Sequence, residues 1–317
     1  MPALTGQLNS INVNTEFTTM ANDIFNRRVN GPWSALCKVM PISGSTLELD
    51  AIGPSPAVQK MLGSRPFSSL RAYSKPTPAV EYTADGLELP RSVVEGDKSG
   101  MVRGRLADYL ASTADFFEKP VIDLLLSNPI GIDGVSLLND SHPFGANGGT
   151  WDNRTTDALS QSSLEAGIVA MRGLRFENGE PAGFFPTHLV VGPANEREAL
   201  DLVGGDRMMP VSNAGAPDAA ANVVAAIALR NWVNGRLQVI VVDRFANGSN
   251  DNDWMLCDLS KPNVRPLAVG ELIAPAGVVV DDPQAEAMIQ RANYQYYVSA
   301  CAAITGYAPH CIYGRVA

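Results

Sequence analysis

The sequence has few residues of the kinds that build reactive centres. Only three histidines occur among its 317 residues, at His142, His188 and His310. None has a second His or Cys at the short spacing that metal ligands use. No Gly-x-Ser-x-Gly elbow, Gly-x-Gly-x-x-Gly turn or Walker-type phosphate loop occurs. These absences argue against a zinc enzyme, a serine hydrolase and a nucleotide-binding enzyme, and they predict a chain without a metal or a cofactor.

Cysteines and long apolar runs are scarce as well. The four cysteines lie far apart without a C-x-x-C spacing, which favours free thiols over disulfides: Cys37, Cys257, Cys301 and Cys311. The longest apolar run, AANVVAAIAL, contains Asn222 and stops at Arg230, short of the ~20 residues of a membrane span. The first residues, MPALTGQLNS, lack the basic and apolar regions of a secretion signal. We therefore expect no membrane partner and a protein that works in a cytoplasm.

Positive charge is also in short supply. The sequence has 24 Lys and Arg against 33 Asp and Glu, a formal net charge of −9, and no basic stripe interleaved with aromatic residues. Binding to nucleic acid draws its affinity from contacts between cations and phosphates. The composition therefore predicts that the partners are proteins and that nucleic acid is not held tightly.

One segment has the composition of an active-site loop. Residues 131–153, GIDGVSLLNDSHPFGANGGTWDN, carry three carboxylates, a hydroxyl and an imidazole: Asp133, Asp140, Asp152, Ser141 and His142. They leave open a hydrolase or metal enzyme that uses Asp133, Asp140 and His142 with Asp251 or Asp253. Asn, Asp and Gly also supply the side-chain hydrogen bonds and positive φ of a tight connection, and the residue before a proline is extended. We favour a structural turn.

Helical and strand patterns follow this segment and precede it. Apolar residues recur at helical steps from Gly100 to Asn128 and predict one long helix, kinked at Pro120. Shorter helices are predicted at QSSLEAGIVAMRGL and ANEREALDLVG. The runs NWV and RLQVIVVDRF, joined by the Asn-Gly turn at Asn234, predict a strand pair, and DWMLCDL predicts the next strand of a meander.

The region from Ser64 to about Lys98 predicts an extended β-hairpin. Alternation switches parity at Gly86, between Val80, Tyr82, Ala84 and the later Leu87 and Leu89, as a β-bulge would produce. A turn near Lys75 to Pro78 would leave two arms with too little apolar content for a core of their own. An isolated two-stranded ribbon is marginal in water, so we expect another surface to cover it.

The order of these parts resembles a known family. The arm around NSINVNTEFTTM, the hairpin, the long helix, DG…HP at Asp133 to Pro143, P…LVVGP at Pro186 to Pro193, and the closing GYAPHCIYGR together resemble the Mu-like major head subunit family. That family is similar to a branch of the Hong Kong 97 fold of tailed-phage major capsid proteins. The resemblance runs from about Thr46 to Arg315.

The resemblance implies an α+β, Hong Kong 97-like capsid fold. Its parts would be an N-terminal arm at 1–45, a lead-in and extended hairpin loop at 46–99, a peripheral domain with the spine helix at 100–187, an axial domain at 188–260, and a return to the peripheral domain with C-terminal strands at 261–317. The loop would contact neighbouring subunits through Phe67, Leu70, Arg71, Tyr73, Lys75 and Tyr82. A structural turn after the spine helix would contain Asp133, Gly134, His142 and Pro143.

The implied function is that of a major capsid protein, not an enzyme, of a bacteriophage or prophage. It would self-assemble into an icosahedral shell around double-stranded DNA, in the virion, after assembly in the host bacterial cytoplasm. Its partners would be many copies of itself as pentamers and hexamers, with scaffold, portal and decoration proteins, and DNA held without tight or specific binding. A nanocompartment shell of the same fold around a cargo protein is the alternative. Lys60 and Lys75 lie near the region that crosslinks in some relatives, but no partner Asn is evident and we predict no crosslink.

Overall fold

The computed structural model describes residues 2–27, 31–49, 75–97, 100–143, 149–176, 179–205, 231–246, 248 and 251–316. The helices, in chain order, are α1 Pro2–Arg27, α2 Pro32–Leu36, α3 Arg91–Glu95, α4 Met101–Ser112, α5 Glu118–Leu126, α6 Gln161–Gly173, α7 Glu196–Gly204 and α8 Glu286–Arg291. The strands are β1 Cys37–Pro41, β2 Thr46–Leu47, β3 Thr77–Pro78, β4 Val80–Thr83, β5 Leu87–Pro90, β6 His142–Pro143, β7 Thr150–Trp151, β8 His188–Val191, β9 Gln238–Val241, β10 Trp254–Cys257, β11 Leu267–Val280, β12 Asn293–Gly306 and β13 Ile312–Arg315. The α+β class is confirmed. Across these ranges, no helix has the length and apolar character needed to cross a membrane.

The larger sheet has five strands built around one long antiparallel pair. Strands β11 and β12 pair from Leu267 opposite Gly306 to Val280 opposite Gln295. Strand β1 adds in parallel to β11, while β4 and β5 both pair antiparallel with the other edge of β12. The sheet thus joins segments from the beginning, the middle and the end of the chain.

The predicted bulge near Gly86 is confirmed. Thr83 lies opposite Ser299 and Leu87 lies opposite Tyr296, so the outer chain advances four residues while β12 advances three. The extra residue changes which side chains point into the protein, because the side-chain period of a strand is about two residues. The sheet therefore keeps an inward-facing side chain on both sides of the irregularity.

The predicted hairpin is only partly within the described residues. Residues 64–74 lie outside them. Residues 75–90 form no free ribbon: β3 pairs with β2, and β4 and β5 are an edge of the larger sheet. This part of the chain is therefore covered by its own subunit, because β12 pairs with both β4 and β5.

The predicted spine helix is two helices. α4 ends at Ser112 and α5 begins at Glu118, with turns between them. The predicted kink at Pro120 is wrong, because the break comes earlier and Pro120 occupies the first turn of α5, where a missing N–H costs nothing. At the start of α4, the Asp97 carboxylate accepts hydrogen bonds from the backbone N–H groups of Gly100 and Val102, both at 3.0 Å.

The smaller sheet has four strands in the order β13, β10, β8, β9. Strand β10 is antiparallel to both β13 and β8, and β9 is parallel to β8. The predicted meander is therefore wrong, although DWMLCDL does contain β10. Asn231 explains the error: its side chain donates to the carbonyls of Leu202 and Gly205 and accepts from Val233 N–H, which holds NWV as a turn at the end of α7.

The smaller sheet lies between two layers. Leu189 and Val191 face a cluster formed with α6 and α7, and Val190 faces the opposite cluster with α5 and the larger sheet. In α6, a Cβ atom at Gly167 would lie 2.8 Å from the Tyr313 ring, so only glycine permits this approach. α6, from the predicted peripheral segment, thus shares a core with strands of the predicted axial segment.

The described part of the predicted N-terminal arm docks on its own subunit. Phe17 and Ala21 of α1 are fully buried against β11, where a Cβ atom at Gly277 would lie only 2.6 Å from the Ala21 Cβ. The Tyr296 hydroxyl donates to Asn14 Oδ1 at 2.7 Å, and Asn14 Nδ2 donates to Asp281 at 2.9 Å. Helix α1 is therefore part of the folded subunit over these residues.

Candidate functional site

The segment singled out in the sequence forms a pinned loop after α5. Asn128 adopts a positive φ of 50° and exchanges two hydrogen bonds with the backbone of Leu138, at 2.9 and 2.8 Å. Gly134 has a φ of 85°, a left-handed turn that glycine adopts without a steric cost. The loop then enters the short ladder in which β6 pairs with β7. The predicted turn residues Asp133, Gly134, His142 and Pro143 thus lie in one local structure.

His142 is the centre of this structure. Its side chain is fully buried. Its Nδ1 lies 2.5 Å from Asp133 Oδ2, and its Nε2 lies 3.0 Å from Asn153 Oδ1. Both ring nitrogens are therefore engaged by side chains of the same loop.

The orientation of Asn153 determines which His142 nitrogen carries a proton. Asn153 Nδ2 faces the carbonyls of Leu137 and Pro309 at 2.8 and 3.0 Å, which only accept hydrogen bonds. Its Oδ1 already accepts from Asn139 N–H at 2.8 Å. Nε2 of His142 must therefore donate to Asn153, while Nδ1 faces the Asp133 carboxyl group. Neither nitrogen is available to take a proton from a substrate.

A stack of rings extends from His142. Its imidazole stacks on Trp151 with centroids 4.3 Å apart, and Trp151 stacks in turn on His310 at 4.6 Å. Phe184 lies beyond His310, with its ring 3.7 Å from Lys261 Nζ. The stack joins the loop to the C-terminal segment, and it is the kind of contact that stabilises a fold.

Burial within this stack, helped by the nearby charge of His142, lowers the pKa of His310 to about 4. His310 is therefore neutral at neutral pH. A neutral ring suits its position, because a charge enclosed by Trp151 and Phe184 would lose its hydration.

The other proposed catalytic residues do not join this centre. Asp140 is exposed on the loop, while Asp133 and His142 are held together. Asp251 accepts a hydrogen bond from Gly248 N–H at 3.0 Å, and Asp253 is buried elsewhere. Within the described ranges, no group of three or more His, Cys, Asp or Glu side chains is arranged to hold a metal ion.

The predicted intersubunit residues are only partly described. Phe67, Leu70, Arg71 and Tyr73 lie outside the described residues. Lys75 Nζ donates to the Ile130 carbonyl at 2.6 Å, and Tyr82 makes an edge contact with Phe117 at 6.4 Å. Lys75 and Tyr82 therefore have contacts inside their own subunit.

Sequence reasoning missed the partners of His142. Trp151 and Asn153 lie in the quoted segment, but no local pattern indicates that they face the imidazole. His310 comes from the C-terminal segment, and only the fold brings it there. The nearest signals in the sequence are two proline-containing pieces, HP at 142–143 and PHC at 309–311. They mark turns, but they do not indicate that the two turns meet.

Comparison with known proteins gives a family and a fold. The family described as phage capsid protein matches residues 73–311. The chain is similar to a chain of the procapsid of bacteriophage JBD30, with 13% identity, a TM-score of 0.50, and coverage of 96% of this chain and 74% of that one. A chain of Mycobacterium phage Bobi is similar with 10% identity and a TM-score of 0.48, and the match covers 90% of each chain. The virus-like particle from Pyrococcus furiosus is similar with 11% identity and a TM-score of 0.48, and the match covers 95% of this chain and 97% of that one. No curated protein matches.

Replacing His142 with Gln should lower the free energy of unfolding by about 1 to 3 kcal/mol, because Asp133 and Asn153 would each lose a buried partner. Urea unfolding of the subunit measures this loss. Asp140→Asn is the control, since that side chain is exposed in the same loop and should change stability by less than about 0.5 kcal/mol. Equal stability of His142→Gln and Asp140→Asn would contradict the structural role.

Stability should also decrease in acid through His310. Its pKa is about 4 in the folded protein and near 6.5 in the unfolded chain, so the unfolded chain binds more protons between these values. Its contribution is fully present above about pH 6.5 and is lost as the pH falls towards about 4, by roughly 1 to 3 kcal/mol. Urea unfolding across this pH range should show that the free energy of unfolding of His310→Phe, which keeps an aromatic ring at this position, depends less on pH than that of the unsubstituted protein. Parallel curves for both proteins would refute the assignment.

Proposed function

The chain belongs to the phage capsid protein family and is a major capsid protein with the Hong Kong 97 fold, and from this premise we propose that its copies form pentamers and hexamers of an icosahedral shell. The shell would enclose phage double-stranded DNA. The observation that carries the proposal is the family match across residues 73–311, which includes both sheets' central strands. The Mu-like branch of the family and the division into peripheral and axial domains belong to the same proposal.

The surface of the subunit supports assembly. Large apolar side chains are exposed on several separate elements: Ile11 on α1, Met101 on α4, Val169 on α6, Leu200 on α7, Ile273 on β11 and Ile289 on α8. Single exposed apolar residues are ordinary on a monomer. Their distribution over so many elements suits a subunit with several neighbours, since large obligate interfaces are the more apolar ones.

The extended loop is proposed to contact a neighbouring subunit through Phe67, Leu70, Arg71 and Tyr73. Its described part includes β3, which pairs with β2, and β4, which pairs with β12 at the edge of the larger sheet. Lys75 and Tyr82 would support this contact from inside the subunit, because their own partners are Ile130 and Phe117. Residues anchored in this way are suited to fix the direction in which a loop leaves the sheet.

The cluster around His142 supports a structural role without catalysis. Asp133 and Asn153 engage both of its ring nitrogens, so neither is free to transfer a proton. The net charge of −9 suits a container that DNA must enter and leave, because few cationic side chains are left to bind phosphates. Assembly in the host bacterial cytoplasm, with scaffold, portal and decoration proteins, completes the proposal.

Electron microscopy of the purified full chain should show closed shells or ring-shaped capsomers. Particles from cells that carry the complete phage genome should contain nuclease-resistant double-stranded DNA. A protein cargo in place of DNA would instead identify a nanocompartment. A monodisperse monomer in sedimentation at high protein concentration and near-neutral pH would refute assembly altogether.

Variants of two tyrosines distinguish a contact between subunits made by the loop from packing inside the subunit core. Tyr73→Ala should reduce the yield of particles while the subunit keeps its urea midpoint, because the loop would lose only an intersubunit contact. Tyr82→Ala should lower the subunit's own stability by about 1 to 3 kcal/mol, because it removes a ring packed on Phe117. Sedimentation and urea unfolding on the same samples measure both effects. Unchanged particle yield for Tyr73→Ala would exclude the proposed contact at that residue.

A further inference from the structure

A cavity of about 360 Å³ lies where α1, α2, β1, β11 and the turns between α4 and α5 meet. Its walls are mostly apolar, and four aromatic side chains contribute to them: Phe25, Trp33, Phe116 and Phe117. The Phe117 ring is edge-on to Trp33 at 5.9 Å between centroids and to Phe116 at 5.3 Å. The volume is that of a small-molecule site, since such sites occupy roughly 300–1,000 Å³.

A carboxylate interrupts these apolar walls. Leu267 and Val269 of β11 belong to the core cluster that contains Trp33 and Phe117. Glu271 continues the same face of the strand, because alternate residues of a strand point to the same side and the first register shift comes only after it. Glu271 is 9% exposed and lines the cavity. A position that the strand period gives to a core residue therefore carries an acidic side chain.

Glu271 determines the sign of the charge that the cavity can accept. Among the described residues that line it, no other side chain is charged, since burial raises the pKa of the Cys37 thiol and keeps it neutral. A carboxylate accepts several hydrogen bonds, so Glu271 can keep the contact that it already makes in the protein while it faces the cavity. An anion in the cavity would be repelled, whereas a cation would gain a counter-charge in a site with little water.

The rings determine which kind of cation suits the cavity. A metal ion such as Ca²⁺ or Mg²⁺ needs several oxygen ligands, and this cavity offers one carboxylate among aromatic and aliphatic side chains. An organic ammonium ion is attracted to the faces of aromatic rings, and its alkyl groups pack on apolar walls. A neutral apolar molecule would use the walls and gain nothing from the carboxylate. The combination of rings and one buried acid therefore favours an organic cation.

We propose that this cavity binds a small alkylammonium ion, with its charge against Glu271 and its alkyl groups against Trp33 and Phe117. The site does not depend on the proposed assembly, because one subunit supplies its walls. Phe25 belongs to α1 and Trp33 to α2, so the bound cation would contact the first helix and the core of the subunit together.

Saturation-transfer difference NMR tests the site, because it observes the ligand and applies to single subunits and to large particles alike. The probe is choline, and the matched ligand is its neutral isostere, in which a carbon atom replaces the ammonium nitrogen. We expect choline to give a saturable signal with the full chain and to bind about tenfold more tightly than the isostere. Equal affinities for the two ligands, or a choline signal that does not saturate, would overturn the proposal.

Variants locate the binding. Glu271→Gln keeps the shape of the side chain and should weaken choline binding about tenfold, because the ligand loses its counter-charge, while binding of the isostere stays the same. Glu81→Gln is the matched control, since Glu81 is an exposed acid on β4 of the same sheet. An equal loss in Glu81→Gln would show a general attraction of cations to a chain of net charge −9 and would overturn the site.

Phe25→Leu is the second variant, because Glu271→Gln changes a buried position and circular dichroism has to show that this variant folds. Phe25 is half-buried, so its replacement should leave the subunit folded. The loss of one ring should weaken choline binding about threefold. Should Glu271→Gln not fold, Phe25→Leu alone decides, and unchanged choline affinity in a folded variant at either position would overturn the proposed site.

Discussion

The antiparallel pairing of β11 with β12 is the interaction on which the rest of the described structure depends. β1 adds to one side of this pair, β4 and β5 add to the other, and α1 packs across it. Two register shifts in β11, between Glu271 and Ile273 and between Ile273 and Ala276, interrupt the ladder. Such irregularities bend and twist a strand pair, so its two ends can pack against different helices, α5 beside Leu267 and Val269 and α1 beside Gly277.

Local sequence patterns predicted several helices and strands, but they did not predict which strands pair when those strands are distant in the sequence. The helices at 161–173 and 196–204, the strand at 254–257 and the bulge near Gly86 follow from periodicity within short windows of sequence. The parallel pairing of β9 with β8 does not, because a run such as QVIV is equally suited to either neighbour. The turn at Asn231 was misread for a related reason, since its three hydrogen bonds reach residues in and after α7.

The centre around His142 shows the same division at the level of side chains. Asp133 and His142 are close in sequence, and the Gly- and Asn-rich composition predicted a structural turn that contains both. Asn153 is what makes the arrangement specific, because its amide joins the loop to the carbonyls of Leu137 and Pro309. A buried polar network in which every group has a partner favours one arrangement of the core over its alternatives. The resemblance in segment order predicted a structural role here, but it carried no information about Trp151 or His310.

The docking of α1 has a consequence for when the chain can complete its fold during synthesis. α1 leaves the ribosome well before β11 and β12, which complete a binding surface that α3 and α4 begin, and Gly277 must be present for Phe17 and Ala21 to seat. Contacts between such distant parts of a chain form late, because closing a long loop costs entropy before any contact repays it. A nascent chain that stops before residue 293 lacks β12 and leaves α1 without Tyr296, its hydrogen-bonding partner. Seating of the first helix therefore reports that translation has reached the end of the large sheet.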